Sequence, residues 1–381
     1  GIGGVVIDLF DSDTGAYITS TTTAPDGSYI FDYLPLDVTY TVRISETSYA
    51  PGGPLAPYSQ TLWTVGSDTA VDSDAALTQT FDGLPYAITT TLTPAVTEDL
   101  TLDYGFVELV ELGNYVWFDI DRDGVQGTDD GEVGIDGVTV ILTYPDGRVF
   151  TTTTTPTGYY TFTVPVSQTY TVTVIADNFA PGGPLETMTD TLSNVGDDAL
   201  DSDGTPVGDA VLTVTPVITE NNYTFDFGFW QPMALGNYVW FDTDDSGVVD
   251  AGEVGVPGVD VELYQDSDGS GDFTPGDAFI DTTTTDATGH YTFTDLLPSL
   301  APTQTYLLVI TETNFTPGGA LENYLNSTAV YTGNSDLNDH DHGVVSGTLG
   351  SGGVVASTPV SLTVGAEPDD TPVPDGNTNL S

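Results

Sequence analysis

The 381-residue chain contains no cysteine and no lysine, and its only fixed cations are Arg43, Arg122 and Arg148. Without cysteine there is no disulfide framework and no thiol chemistry, although this alone does not set the compartment. Three arginines face 57 acidic residues, for a formal charge of −54. Nothing is available to neutralise phosphates, so nucleic acid is excluded as a partner. An anionic membrane surface is repelled for the same reason. No run of about 18 apolar residues occurs, which excludes membrane insertion through a spanning helix. The first residues carry neither the basic cluster nor the apolar core of a signal peptide, so the sequence reads as mature or as a fragment.

The acid is unevenly divided, 45 Asp to 12 Glu. Asp excess suits turns, where the short side chain bonds local backbone, and it suits calcium loops. Charge of this size destabilises a compact chain by self-repulsion unless cations bind, a salt-rich habitat being the other explanation. Hydrophobic content of 39% is enough for packed cores, and the length allows two or three of them. Thr, Val and Tyr favour strands, and Thr runs stand at residues 151–155 and 282–285. Sequons at Asn222, Asn314, Asn326 and Asn379 are candidate glycosylation sites on a surface protein.

Four landmarks recur in a fixed order. Gly-Ile-x-Gly-Val starts at Gly1 and Gly134, with a variant at Gly255. Gly-x-Tyr-x-Phe starts at Gly27, Gly158 and Gly289, and Pro-Gly-Gly at Pro51, Pro181 and Pro317. Acidic pairs follow at Asp72/Asp74, Asp201/Asp203 and Asp339/Asp341. Between the landmarks apolar residues alternate, as in Val5/Ile7/Leu9, Val138/Val140/Leu142 and Val259/Val261/Leu263. Period two with turn residues as punctuation means antiparallel strands with one face in a core. The predicted fold is all-β: a tandem array of Ig-like antiparallel β-sandwiches with no significant helix. Boundaries fall at residues 1–110, 111–232 and 233–381, and the joints, about five residues long and without a Gly/Ser tract, are expected to be semi-rigid. The first copy lacks an opening strand and acidic loop, and the third lacks a closing strand. The expectation is that polypeptide outside residues 1–381, from a continuing chain or a neighbouring subunit, completes them. Without it Val5, Ile7 and Leu9 are expected to be exposed.

Leu-Gly-Asn-Tyr-Val-Trp-Phe-Asp occurs at residues 112–119 and 235–242, each time running into an acidic loop. Ca²⁺ takes six to eight hard oxygens, and a loop with donors at positions 1, 3, 5, 7, 9 and 12 wraps one ion. In the third copy these positions are Asp242, Asp244, Ser246, the Val248 carbonyl, Asp250 and Glu253, with Gly247 at the sharp turn. In the second they are Asp119, Asp121, Asp123 and the Val125 carbonyl. There the closing ligand is Glu132 after a two-residue insertion, or else Asp129 or Asp130. A further twelve-residue loop carries Asp266, Asp268, Ser270, Asp272 and Asp277. The pairs Asp72/Asp74, Asp201/Asp203 and Asp339/Asp341 are either secondary ligands or Asx turns. No catalytic arrangement stands out among so many carboxylates. His290 falls on an outward strand face, and His340 and His342 lack a partner motif. Trp117 and Trp240 read as core.

These ordered motifs, with Glu-x-Gly-x-x-Gly-Val and Asp-Asp-Ala-Leu-Asp-Ser-Asp-Gly at residues 197–204, resemble the B repeats of serine–aspartate-repeat microbial surface adhesins. The resemblance implies Cna-B-like, prealbumin-type sandwiches that act as calcium-stiffened stalk domains on a microbial surface. Related pilins form Lys–Asn isopeptide bonds, which a chain without lysine cannot make. The expected function is an extracellular structural protein, a stalk, sheath or filament, with calcium and copies of itself or further repeats as partners through end-to-end contact. The alternative is an adhesin whose loops, such as residues 51–57 or 181–186, meet a glycan, host protein or neighbouring cell.

Overall fold

The computed structural model describes residues 1–61, 73–74, 87–127, 131–300, 304–327 and 343–364. Asp72, Asp129, Asp130, Asp339, Asp341, His340, His342 and Asn379 lie outside the described residues. Strands dominate. Helix is confined, among the described residues, to three single 3₁₀ turns at Glu46–Ser48, Ala176–Phe179 and Glu312–Phe315.

The second repeat shows the architecture most fully. One sheet runs in the order Thr205–Val207, Ala210–Val214, Thr171–Val174, Thr139–Thr143, Val149–Thr153. The other runs Tyr159–Pro165, Phe106–Phe118, Phe227–Trp230, Thr189–Asp190. Val140, Leu142, Val172, Val174, Leu112, Phe162 and Phe227 from both sheets form one buried cluster. Burying each such side chain is worth about 1.5–3 kcal/mol. Between these named strands the pairing is antiparallel except at one place. The closing strand Phe227–Trp230 runs parallel to the end of the opening strand, with Phe227 opposite Val116 and Phe229 opposite Phe118. Gly228 is required there, because a Cβ would lie 2.6 Å from the Trp117 ring.

The recurring landmarks have mechanical causes. Thr23, Thr154 and Thr285 are buried, and each hydroxyl accepts the N–H of Val5, Val138 or Val259 at 2.9, 2.9 and 3.0 Å. The same hydroxyls donate to the carbonyls of Ile2, Ile135 and Val256. This staples Gly-Ile-x-Gly-Val to the end of each Thr-rich strand. After each 3₁₀ turn the Pro-Gly-Gly segment folds back so that Leu55, Leu185 or Leu321 is buried. Their N–H groups donate to the carbonyls of Ser48, Asn178 and Asn314. The loops at residues 51–57 and 181–186, expected as variable adhesive surfaces, are therefore one pinned turn that recurs in all three repeats.

Two further expectations are corrected. Val5, Ile7 and Leu9 are buried, not exposed, in one cluster with Tyr40, Val42 and Ile44, against which Tyr29, Phe31, Leu34, Leu102, Tyr104 and Phe106 pack. Nor is the first joint a five-residue linker. A single thirteen-residue strand, Phe106–Phe118, serves both repeats. Its start pairs with Tyr58–Gln60 of the first, and residues 109–115 pair with Tyr159–Pro165 of the second.

Candidate metal centres

Three acidic loops share one hydrogen-bond frame. The first Asp receives N–H groups from positions 5 and 6. For Asp119 these come from Asp123 at 3.3 Å and Gly124 at 2.9 Å. For Asp242 they come from Ser246 at 3.2 Å and Gly247 at 2.8 Å. For Asp266 they come from Ser270 at 3.1 Å and Gly271 at 3.0 Å. Two left-handed residues make this curl possible. Position 4 is Arg122, Asp245 or Gly269 at φ 59°, 57° and 64°, and position 6 is always glycine.

Position 12 closes the frame by bridging positions 2 and 9. Glu253 accepts the N–H of Thr243 at 2.6 Å and of Asp250 at 3.0 Å. Asp277 accepts those of Ser267 at 3.3 Å and Thr274 at 2.6 Å. In the second repeat Glu132 accepts the N–H of Gly127, the position-9 residue, at 2.6 Å. The Ser246 hydroxyl donates to the Val248 carbonyl and reaches Asp250, and that of Ser270 donates to the Asp272 carbonyl. The frame thus brings together Asp242, Asp244 and Glu253, then Asp266, Asp268 and Asp277, and then Asp119, Asp121 and Asp123. In each group one carboxylate oxygen from every residue lies within 4.8 Å of those of the others.

The loop Asp266 to Asp277 is a hairpin tip between Asp260–Gln265 and Ala278–Thr284. Shorter turns at residues 12–16 and 144–148 occupy that place in the other repeats.

The electrostatics fit a hard cation. Burial, then the charges of Asp123 and Asp119, raises the pKa of Asp121. Asp119 and Asp266 are almost fully buried. Partial burial of Asp242 is outweighed by N–H groups from Gly247, Ser246 and Asp244, which lower its pKa. Backbone N–H groups of Asp250 and Thr243 lower that of Glu253. The arginines are engaged elsewhere: Arg43 with Asp8, Arg148 with Asp146, and Arg122 with the Trp230 ring at 4.2 Å. Oxygen-only donors and crowded carboxylates with no salt bridge to a protein cation, among the described residues, suit Ca²⁺.

A fourth group was only partly legible. Asp201 and Asp203 converge with Asp198, which sequence reasoning did not single out. The Asp197–Asp198 doublet was the available signal. This segment is sewn to the second-repeat loop by Ser202 N–H to Gly124 O and Gln126 N–H to Leu200 O. The Thr191 hydroxyl, also missed, donates to Asp119. The second Asp of the pair has a structural role as well. Asp203 accepts the N–H of Asp226 at 2.8 Å, as Asp74 accepts that of Asp103 at 2.9 Å. Burial pushes Asp203 up to about 7 and Asp226 up to about 8.

The sequons behave differently from one another. Asn314 is 3% exposed, and its amide donates to the Asp260 and Thr311 carbonyls, so it is withdrawn as a glycosylation acceptor. Asn222 is half-buried and caps Thr224 N–H, while Asn326 donates to Ser327 and Gly343. His290 is exposed against Tyr238, and Trp117 is fully buried while Trp240 is half-buried.

Residues 110–229 and 233–354 each match the SdrD B-like domain. The chain belongs to the SdrD B-like domain family. It is 36% identical over 301 residues to serine-aspartate repeat-containing protein D of Staphylococcus aureus (strain Newman), covering 78% of this chain and 19% of that protein. It is 35% identical over 302 residues to serine-aspartate repeat-containing protein F of Staphylococcus epidermidis, covering 78% and 15%. The chain thus spans about a fifth or less of these relatives' length. Among solved structures, a Streptococcal ancillary pilin aligns at TM-score 0.25 and 12% identity, covering 81% of this chain and 83% of that one. No helix among the described residues is long and apolar enough to cross a membrane.

Proposed function

We propose that this chain is a calcium-braced structural segment of a microbial surface protein, placed outside the cell as part of a stalk, sheath or filament. The observation that carries this reading is the single curl repeated in the Asp119, Asp242 and Asp266 loops, with carboxylates gathered and, among the described residues, no salt bridge neutralising them. When bound, Ca²⁺ supplies the positive charge that lets such carboxylates stay ionised and close together. The residues themselves fix the curl in all three loops, bridge positions 2, 9 and 12 in the Asp242 and Asp266 loops, and join the Asp119 loop to the closing strand. The strand Phe106–Phe118 supports a mechanical role, because two repeats share one hydrogen-bonded ladder. Kinship with surface proteins supports the location.

The test is small-angle X-ray scattering on the 381-residue chain in millimolar calcium and in chelator, with a glycan array in parallel. A defined particle that becomes flexible on chelation and binds no glycan is expected. A profile unaffected by chelation, or saturable glycan binding, would overturn the structural reading.

A further inference from the structure

Each repeat ends one of its sheets in a Thr-rich strand: Tyr17–Thr22, Val149–Thr153 and Ala278–Thr284. In the second repeat, among the described residues, Val149–Thr153 pairs on one side only, with Thr139–Thr143. The parity of that ladder is fixed at both ends. Thr154 N–H donates to the Val138 carbonyl at 2.9 Å, and Tyr144 N–H donates to the Arg148 carbonyl at 2.8 Å. In an antiparallel pair, opposed residues exchange backbone bonds at alternate positions. Phe150 and Thr152 therefore point their N–H and C=O groups into the sheet, and Val149, Thr151 and Thr153 point theirs away from it.

Unpaired edges are usually guarded by charge, by proline or by a covering segment. In the first and third repeats the guards are acidic. The turn before Tyr17–Thr22 carries Asp11 and Asp13, and the Asp266 loop precedes Ala278–Thr284. Asp281 also stands within the third strand, where its carboxylate takes the outward Thr282 N–H at 2.8 Å. Val149–Thr153 contains no charge and no proline. Its turn holds Asp146 and Arg148, which neutralise one another as an ion pair at 2.7 Å. Its apolar side chains are open as well. Val149 is 53% exposed, and Phe150 is 49% exposed although it packs on the core residue Tyr144 at 5.2 Å. The outer face of the sheet continues without charge through Thr139, Ile141 and Thr143 into Thr171 and Thr173.

We propose that Val149–Thr153 pairs antiparallel with the same strand of a second copy of this chain, joining two sheets into one across a two-fold axis at Thr151. The ladder parity selects the register. Residues with outward groups must face one another, so Thr151 faces Thr151 and Val149 faces Thr153. Every outward N–H and C=O group of the strand is then used, and Phe150 gains Thr152 of the other copy beside it. Charge selects the partner. A second chain of −54 is repelled wherever acid meets acid, and this strand brings none. The register also sets Arg148 level with Thr154 of the other copy. There Gly137 N–H donates to the Thr154 carbonyl, which places the exposed Asp136 at that end. The contact is lateral, and it depends neither on calcium nor on how repeats join end to end.

The test is analytical ultracentrifugation of the 381-residue chain in millimolar calcium over a sodium chloride series, with residue-resolved hydrogen exchange on the same samples. A monomer–dimer equilibrium is expected that tightens as salt screens the acidic remainder of the two surfaces, whereas a contact held by ion pairs would loosen. In the dimer the amides of Val149, Thr151 and Thr153 should gain protection, while those of Phe150 and Thr152 are protected in monomer and dimer alike. Thr151→Pro removes an outward donor and leaves the internal ladder in place. Thr151→Glu tests the same pairing without a backbone change, because it sets like charges opposite one another. Each should raise the dimer Kd at least about tenfold, whereas Thr282→Pro on the guarded third edge should leave it unchanged. The proposal fails if the chain stays monomeric at every salt concentration, if a dimer forms without new protection at Val149, Thr151 and Thr153, or if the folded Thr151 variants dimerise like the parent.

Discussion

Withdrawing calcium should lower the melting temperature of the third repeat more than any single substitution in its loops. That repeat carries two closed frames, Asp242 to Glu253 and Asp266 to Asp277, which share no donor residue. An ion that binds only the folded state stabilises by RT ln(1 + [L]/Kd), so at about 100 times Kd each site contributes about 2.7 kcal/mol. Extracellular calcium modules have Kd values of about 10⁻⁴–10⁻³ M, so about 10 mM calcium reaches that ratio at the tighter end. Two independent sites then give about 5 kcal/mol, since separate sites add. For a repeat of this size about 1 kcal/mol moves the melting temperature by roughly 3–5 °C, which makes the shift about 15–25 °C. The assay is scanning calorimetry of the 381-residue chain in calcium and in chelator, with Glu253→Gln/Asp277→Asn locating the transition that belongs to this repeat. A matched sodium chloride series separates ion binding from screening of the −54 charge. A melting profile that ignores chelator, or one that sodium chloride restores as fully as calcium, refutes the reasoning.

Glu253→Gln should weaken the Asp242 loop at least tenfold in calcium titrations, because it replaces two charged oxygens by one neutral one, whereas the outward Asp260→Asn should titrate like the parent. In chelator, the second repeat should lose stability as pH rises. Asp203 and Asp226 have folded pKa values of about 7 and 8 against an ordinary 3.8, so the folded state holds protons that the unfolded state releases. Their favourable contribution is complete below the ordinary value and is lost by about pH 8, and Asp226→Asn should flatten that slope in urea midpoints. Asn314→Ala should cost about 2–3 kcal/mol in urea unfolding, because it strands the Asp260 N–H and carbonyl that the amide now satisfies. Mass spectrometry of protein from a glycosylating host should find Asn314 bare.

Much of the fold was legible because each landmark answers a local demand. Alternation over Val138, Val140 and Leu142 fixes which face is buried, and Gly at position 6 of each loop marks the curl. The Asp266 loop was readable as a second frame in one repeat because its spacing copies that of Asp242. What sequence spacing could not show is what meets across the sandwich. Asp198 lies beside Asp201 and Asp203 only because residues 197–203 are sewn to the loop after Asp119. The buried amide of Asn314 is indistinguishable from an exposed sequon until the 3₁₀ turn Glu312–Phe315 carries it against Asp260. The first joint left a trace that was misread. Residues 106–112 contain no Gly, Pro, Asn or Asp, and a stretch without turn residues is strand that continues rather than a linker.

The two joints are stiffened by different means, and calcium should act on only one of them. At the first, Leu109 N–H donates to the Pro57 carbonyl of one repeat, and Val166 N–H donates to the Glu108 carbonyl from the next. That ladder involves no acidic loop. At the second, the closing strand ends at Trp230, Gln231–Pro232 follows, and the next strand begins at Met233. Proline cannot donate to a ladder, so backbone pairing stops there. Trp230 and Met233 are each 2% exposed, and Arg122 lies over the Trp230 ring. Arg122 is position 4 of the Asp119 loop, held left-handed by the same curl that gathers the carboxylates. When the loop loosens, the guanidinium loses its fixed place on the ring and the second joint loses its cover. Chelation should therefore admit protease near Gln231 at calcium concentrations where the first joint stays intact, and Arg122→Ala should make the second joint cleavable even in calcium. Cleavage of both joints at the same calcium concentration would show that the loop does not govern the joint.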